Sequence, residues 1–207
     1  MSGTKEKILT AARVLFNEQG VAKISQRSIS DHLAISPGNL TYHFKKRDDI
    51  IEALYFDLVE EMNESFSKVE AKEPSLEMLM TLTHSIHKNL FENRFFMIDF
   101  VQILRSNTKI KKHYVQLSKM RKGQIGGVIE VLIRNGIMRK AELPAEYEHL
   151  HRRMQLFGDF WIASIGTTGD EVMLKDTEVY AEMFMQSIYP YLTNKGKEDF
   201  RKVMRYS

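Results

Sequence analysis

Apolar residues recur every three or four positions along most of the chain, and this spacing predicts α-helices. In the first segment Ile8, Ala12 and Leu15 fall on one helical face, with Thr4 placed to cap the helix and Gly20 placed to end it. No stretch shows the sustained alternation of apolar and polar residues that a half-buried strand requires. The pattern therefore predicts an all-α fold.

Prolines and glycines divide this helical pattern. Pro37 and Pro144 fit the first turns of helices, Pro74 separates two long helices, and Pro190 lies near the end of the last long one. The predicted helices span about residues 5–19, 26–33, 37–43, 47–71, 75–92, 94–106, 108–134, 145–166, 171–192 and 196–204. We expect a kink or a break in the helix 108–134, because its interior contains Gly123, Gly126 and Gly127.

Two short helices near the start of the chain have the spacing of a helix-turn-helix. Ser25 and Ser36 are placed to cap them, and Pro37 occupies the first position of the second one. Ala34 and Ile35 form the turn between them. The apolar residues that point inward are four positions apart, being Ile29 and Leu33 in one helix and Leu40 and Phe44 in the other.

The same spacing leaves polar and aromatic side chains on the outer face of the second short helix: Asn39, Thr41, Tyr42 and His43. Such side chains can donate, accept or stack, as a helix in the major groove of DNA requires. The cations Lys45, Lys46 and Arg47 follow, where they can contact phosphates. An ordinary corner between two helices of a bundle is the alternative interpretation.

Charge is distributed unevenly along the chain. Residues 1–47 hold eight lysines and arginines against three acidic residues, a net charge of +5, whereas the whole chain carries +3 and the remainder therefore −2. A basic end on a slightly acidic body is expected of a protein that meets a polyanion. A chance cluster of solvated charges is the alternative.

Residues 8–50 resemble the TetR family of repressors. The matching positions, in order, are Ile8, Leu9, Ala11, Ala12, Leu15, Phe16, Gly20, Ser25, Ile29, Leu33, Ile35, Ser36, Gly38, Asn39, Leu40, Tyr42, Phe44 and the fourth-helix start Arg47-Asp48-Asp49-Ile50. The chain departs from the family's pattern twice. Ala34 stands in the turn where the family usually has glycine, and Thr41 follows Leu40 where it usually has tyrosine.

The resemblance implies a ligand-responsive repressor. It implies a DNA-binding domain at 1–47, a helix at 47–71 that connects, and a regulatory and dimerisation domain at 48–207. It further implies a homodimer on a palindromic DNA operator, released by a small-molecule effector. Together with the residue pattern, it assigns DNA contacts to Ser25, Gln26, Arg27, Ser36, Pro37, Gly38, Asn39, Thr41, Tyr42, His43, Lys45 and Lys46.

Buried polar residues indicate where a ligand would bind. Asp99 lies in a helix that is apolar nearly all round, so it must be paired, either by a ligand or by a neighbour such as Arg152 or Arg153. Asp159 poses the same question in a helix expected to meet the partner subunit. The candidate ligand-binding residues are His84, His87, Phe96, Asp99, Phe100, Tyr114, Met154 and Trp161, although aromatic and methionine stripes are also typical of plain core.

His84 and His87 share one helical face, but metal sites need three or four ligands. No carboxylate or cysteine stands at a companion spacing, so we predict no metal and no cofactor, and the histidines line a pocket or the surface.

The last two long helices, about 145–166 and 171–192, carry wide apolar stripes. The residues of these stripes include Leu150, Met154, Phe157 and Trp161 in the first helix and Val179, Met183, Tyr180 and Phe184 in the second. A stripe that wide can pack on its own domain and on a partner at once. By resemblance we expect this pair to form the homodimer interface.

Two other classes of protein remain as alternatives, an all-α enzyme that uses the buried aspartates and a helical scaffold whose N-terminal bundle binds protein. Against the enzyme, the sequence has no nucleophile-base pattern, no glycine-rich phosphate loop and no His-Glu-x-x-His pair. Cysteine is absent, no N-terminal apolar h-region is present, and no run reaches the roughly 18 to 20 apolar residues that cross a bilayer. We therefore expect a cytoplasmic protein without a membrane partner.

Overall fold

The computed structural model describes residues 3–70 and 73–204, which form eleven α-helices, two short 3-10 turns and no β-strand. The helices are α1 (Thr4–Gln19), α2 (Gln26–His32), α3 (Pro37–His43), α4 (Arg47–Glu70), α5 (Leu76–Glu92), α6 (Arg94–Ile98), α7 (Phe100–Ser106), α8 (Thr108–Arg134), α9 (Glu146–Thr167), α10 (Asp176–Gln186) and α11 (Asn194–Met204). The 3-10 turns lie at Val21–Lys23 and Tyr189–Tyr191. The all-α fold is confirmed, and the predicted end of the fourth helix at 71 lies outside the described residues.

One apolar core joins the N-terminal helices to the helices that follow. Ile8, Ile29 and Leu40 are fully buried among α1, α2 and α3. The same core continues through Ile50 of α4 to Trp161 of α9. A second core lies between α5, α8, α9, α10 and α11, and its buried members include Leu76, Leu132, Leu150, Met185 and Phe200. The first core is therefore continuous from the helix-turn-helix to α4, α6 and α9.

Polar contacts strengthen this connection. The side chain of Asn17, near the end of α1, donates to the carbonyl of Glu92 at 2.8 Å and accepts from the backbone N–H of Phe95 at 2.9 Å. The backbone N–H of Val21 donates to Oδ2 of Asp99 at 3.3 Å. The N-terminal helices are thus tied to the start and the end of α6 by side chains as well as by core packing.

The helix predicted over 94–106 is instead two helices, α6 and α7, that meet at Asp99. Its backbone (φ −94°, ψ 16°) leaves the helical region, and its carboxylate bonds to Val21 rather than facing away from the chain. The helix is thus interrupted at the residue whose side chain bonds to the segment between α1 and α2.

The helix predicted over 171–192 is shorter than expected. It begins at Asp176, whose carboxylate accepts from the N–H of Met173 at 2.7 Å, and it ends at Gln186 ahead of the 3-10 turn that contains Pro190. Proline lacks the N–H that would continue an α-helix. Pro144 was predicted in a first turn, but it precedes Ala145, the N-cap residue of α9.

At two other helices the structure differs from a local prediction, namely the cap of α1 and the break expected as one possibility in α8. Gly3, not Thr4, occupies the N-cap position of α1. The helix α8 runs without a break from Thr108 to Arg134 through its three glycines. A Cβ added at any of those glycines would meet no atom within 4 Å, so no close packing contact requires glycine at these positions.

Candidate nucleic-acid interface and a buried cavity

Serine caps define the starts of both helices of the helix-turn-helix, as predicted. Oγ of Ser25 accepts from the N–H of Ser28 at 3.1 Å, and the Ser28 hydroxyl reaches back to the N–H of Ser25, which makes a reciprocal capping box. Oγ of Ser36 accepts from the N–H of Asn39 at 3.2 Å, and Pro37 follows at the first helical position. Such caps contribute about 1 kcal/mol each to helix stability.

The turn between α2 and α3 requires an unusual backbone conformation. Ala34 has φ +51°, in the left-handed region that favours glycine, and its N–H donates to the carbonyl of Asp31 at 3.2 Å. The next residue, Ile35, donates its N–H to the carbonyl of Ser30 at 3.0 Å and packs against the core. The turn therefore keeps the geometry that glycine would adopt, at the cost of backbone strain at alanine.

The inner faces of α2 and α3 are locked together. Nε2 of Gln26, the first residue of α2, donates to the carbonyl of Phe44 at 2.7 Å, just beyond the end of α3. The guanidinium of Arg47 donates to the carbonyls of Val21 and Ile24 at 3.1 and 3.3 Å, which ties the start of α4 to the segment ahead of α2. The sequence pattern assigned Gln26 to DNA, and in this structure its amide nitrogen donates to the backbone of the protein itself.

The outer face of α3 is open to solvent. Tyr42 is 85% exposed, an unusual state for an aromatic side chain, and its ring lies edge-on to His43 at 5.2 Å. The hydroxyl of Thr41 donates to the carbonyl of Pro37 at 2.9 Å. Of the twelve predicted DNA-contacting residues, Gln26 and His43 are half-buried, and those exposed are Ser25, Arg27, Ser36, Pro37, Gly38, Asn39, Thr41, Tyr42, Lys45 and Lys46.

A cavity of about 180 Å³, partly open to solvent, lies among α4, α5, α8, α9 and α10. Apolar side chains form most of its wall, including Met62, Phe66, Ile86, Leu90 and Phe184. Small-molecule sites are typically such apolar cavities with a few polar groups placed inside.

A chain of hydrogen bonds runs along one wall of the cavity. The Tyr114 hydroxyl donates to Oδ2 of Asp159 at 2.6 Å. Nε2 of Gln155 donates to the Tyr114 oxygen at 3.1 Å and to Oγ of Ser118 at 2.9 Å. Burial raises the pKa of Asp159 to about 6, although the hydrogen bond from Tyr114 and the charge of Arg152 act in the opposite direction. Burial likewise raises the pKa of Tyr114, which therefore stays protonated at neutral pH.

His87 contributes a second polar group, and its side chain is only 2% exposed. Its Nδ1 lies 2.8 Å from the carbonyl of Thr83, so this nitrogen must carry the proton, because a carbonyl oxygen only accepts. Burial lowers the pKa of His87 to about 4, which leaves the ring neutral at pH 7. Nε2 is then a buried acceptor, and no group of the described residues donates to it.

The structure brings only part of the predicted ligand-binding set to this cavity. His87, Tyr114 and Met154 line it. Phe96, Phe100 and Trp161 are buried in the first core, Asp99 contacts Val21, and His84 is half-buried outside the lining. The sequence analysis did not name Gln155, and it placed Asp159 in a helix expected to face the partner subunit. Both residues line the cavity. Their spacing of four positions, which puts two polar side chains on one face of a largely apolar helix, could have indicated this.

Within residues 3–70 and 73–204, no three histidine, aspartate, glutamate or cysteine side chains are grouped so that they could hold a metal ion. A search of the same residues for helices long and apolar enough to cross a membrane finds none.

Two models of one protein family match this chain, over successive parts of it. The family model described as "Bacterial regulatory proteins, tetR family" matches residues 8–54, and the TetR model described as "Bacterial transcriptional repressor" matches residues 58–200. The HTH-type transcriptional regulator UidR of Escherichia coli K12 is 32% identical over 85 residues, which are 39% of this chain and 43% of UidR. The chain thus matches less than half the length of that curated relative.

Solved structures extend the likeness to the full chain. A TetR-family transcriptional regulator from Marinobacter aquaeolei VT8 is 25% identical, with a TM-score of 0.87 over 99% of this chain and 97% of its own. The TetR-family regulator PfmR from Thermus thermophilus, 15% identical over 86% of this chain and 97% of its own, shares the fold with a TM-score of 0.68. On the match of the second family model to more than half of its residues, the chain belongs to the TetR family of bacterial transcriptional regulators.

Proposed function

We propose that this protein is a homodimeric repressor that binds a palindromic DNA operator through α3 and leaves it when a small molecule occupies the cavity. The observation that carries the proposal is the exposed polar face of α3, whose opposite face packs into the buried core of the N-terminal helices. This part of the chain matches the family model for residues 8–54. We propose that residues 1–47 bind DNA and that residues 48–207 regulate and dimerise.

On the DNA-binding face, we assign the reading of bases chiefly to Tyr42 and Asn39. The Thr41 hydroxyl already donates to the carbonyl of Pro37, whereas the Tyr42 side chain projects into solvent. An aromatic ring exposed to that degree loses little on entering a groove and can both stack and hydrogen-bond there. Lys45 and Lys46 follow α3 as exposed cations, in position to contact the phosphate backbone.

The dimer interface that we propose uses the outward faces of α9 and α10. Leu156 and Phe160 are exposed one turn apart on α9, and Val179 and Met183 are exposed one turn apart on α10. Exposed apolar pairs on neighbouring helices are typical of an interface, and a second copy would pair the same faces as a four-helix bundle. The sequence analysis expected the apolar stripe that includes Leu150 and Trp161 to form the interface. In the structure these two side chains are buried in the protein's own core, so the exposed residues of α9 are different ones.

A route from cavity to DNA runs through α4. Met62 and Phe66 near its end line the cavity, while Arg47 at its start holds the carbonyls of Val21 and Ile24. A ligand that displaces the end of α4 would therefore shift the framework of the helix-turn-helix. The contacts of Asn17 and Asp99 with the two ends of α6 provide a parallel route.

The experiment measures binding of the full chain to a duplex from its own upstream region, in parallel with a random duplex of equal length, over a range of salt concentrations. We expect affinity to fall steeply with salt, because phosphate contacts release counterions. Tyr42→Ala should weaken operator binding far more than random binding, and Lys46→Ala should weaken both alike. Lys112→Ala, at an exposed lysine of α8, is the matched control for the loss of one charge. A folded protein that binds neither duplex at low salt would refute the proposal.

We propose that the protein has no catalytic activity. We also propose that it is located in the cytoplasm, where a bacterial regulator meets DNA. No observation on the cavity favours the alternative of an all-α enzyme.

A further inference from the structure

We infer that the cavity binds a small, mostly apolar amine in its protonated form, with the ammonium group held by the carboxylate of Asp159 and by Nε2 of His87. The inference rests on the proposed function, in which this cavity is the effector site, and names the chemistry of the effector.

Asp159 supplies the negative charge. Its Oδ2 accepts from Tyr114, which is itself oriented by Gln155, so the carboxylate is held in place from one side. Among the residues that the structure describes, no lysine, arginine or histidine lies within ion-pair distance of it. A half-buried carboxylate without an ion-pair partner is stabilised when a cation enters beside it.

His87 supplies a neutral acceptor. Because Nδ1 donates to Thr83, Nε2 presents a lone pair, and in the described residues nothing donates to it although the side chain is almost fully buried. A buried polar atom without a partner destabilises the protein, and a ligand that donates to it removes that cost.

The two acceptors together distinguish among ligands. An ammonium carries up to three N–H donors and a positive charge, whereas a hydroxyl carries one donor, so an amine has enough donors for both Asp159 and His87, which line the same cavity. An acidic ligand would bring a second negative charge beside Asp159. Arg121 also lines the cavity, but its guanidinium donates to Asn63 and Gln124 at 2.5 and 2.7 Å and lies over the ring of Phe66.

The volume and the lining of the cavity limit the size and the polarity of the part of the ligand beyond its ammonium group. A dry cavity of about 150 Å³ holds one benzene ring, so about 180 Å³ accommodates a single ring with a short arm. Apolar side chains such as Ile86, Leu90 and Phe184 surround that space. The inferred ligand class is therefore an arylalkylamine or an alicyclic amine of the same size.

Three probes of equal length test the inference: 2-phenylethylamine, 2-phenylethanol and propylbenzene, titrated calorimetrically into the full-length protein at pH 7.5. We expect the amine to bind at least about tenfold more tightly than the alcohol, because hydrogen bonds to charged groups are the stronger ones. Asp159→Asn keeps an acceptor for Tyr114 but removes the charge, so it should abolish the preference for the amine. Asp57→Asn, at an exposed carboxylate of α4, is the matched control and should leave the preference intact.

His87→Asn tests the second acceptor. The asparagine amide can still donate to the carbonyl of Thr83 but has no atom in the place of Nε2, so we expect weaker binding of both amine and alcohol by about tenfold. Unchanged binding of both probes by a folded variant would remove His87 from the site and overturn that half of the inference.

Equal affinities of the unaltered protein for the amine and the alcohol would overturn the inference, and this measurement needs no variant to fold. The inference would also be overturned if protein that still binds operator DNA bound none of the three probes. In that case the proposed function would stand. Tight amine binding by protein that binds no duplex would instead refute the proposed function. Release of the operator by 2-phenylethylamine, but not by the other two probes, would support both.

Discussion

Asp159 should make the stability of this protein depend on pH in a direction that is unusual for a carboxylate. Burial raises its pKa from the ordinary 3.8 to about 6. Between these values the folded protein binds more protons than the unfolded chain, so the free energy of unfolding falls as pH rises through this range. The stabilising effect of the protonated form is fully present below about pH 4 and is lost above about pH 6.

The magnitude follows from the pKa. Each pKa unit corresponds to about 1.4 kcal/mol, so a rise from 3.8 to about 6 makes ionised Asp159 unfavourable by about 3 kcal/mol at pH 7.5. Asp159→Asn removes the ionisation while keeping an oxygen that can accept from Tyr114. We therefore expect the variant to gain about 2 to 3 kcal/mol relative to the unaltered protein between pH 4 and pH 7.5.

Urea unfolding of both proteins at half-unit pH steps, at one protein concentration, measures this difference. The lowered pKa of His87 makes stability fall toward acid pH, but both proteins share it, so it cancels in the comparison. Asp57→Asn serves as the control, since its carboxylate contacts water before and after unfolding. A difference between Asp159→Asn and the unaltered protein that stays flat from pH 4 to pH 7.5 would refute the reasoning about burial of this carboxylate.

Three further predictions concern stability and assembly. Ala34→Gly should stabilise the protein by about 0.5 to 1 kcal/mol, because glycine adopts the left-handed backbone of this turn without strain. Ala53→Gly, inside α4, should instead destabilise the protein by about 1 kcal/mol. Changes of the same sign in the free energy of urea unfolding of both variants would contradict this prediction. Asn17→Ala should cost about 1 to 2 kcal/mol through its bonds to the start of α6, and Asn17→Asp, which keeps the acceptor for Phe95, should recover part of the loss in the same assay. Phe160→Glu and Val179→Glu should each shift the protein from dimer to monomer in light scattering, and a dimer that persists in both would rule out this interface.

Much of the helix-turn-helix could be predicted from the sequence. The caps at Ser25 and Ser36 and the buried positions Ile29 and Leu40 all lie where the pattern placed them. These features are local, because a cap acts within one turn and the period of an amphipathic helix repeats every few residues. The bond from Gln26 to the carbonyl of Phe44 could not be predicted in this way, because Phe44 lies just beyond the end of another helix.

The ends of the longer helices and the cavity were predicted less well. The break at Asp99 depends on a backbone group of Val21, which is distant in sequence, and no periodicity reveals it. Phe96, Phe100 and Trp161 are as apolar as the residues that line the cavity, but they pack in the first core. The sequence of a helix with a wide apolar face does not indicate which of its residues face a cavity and which face the core.

The sequence by itself determined the all-α class, the order of the helices and the surface proposed to meet DNA, because these depend on propensity, caps and spacing within one helix. Only the tertiary structure decided between two aspartates that look alike in sequence. Asp99 bonds to the backbone of Val21, while Asp159 meets Tyr114 in the cavity. The physical reason is that the rotation and crossing of whole helices, set by packing over the entire core, determine which groups surround each buried polar side chain.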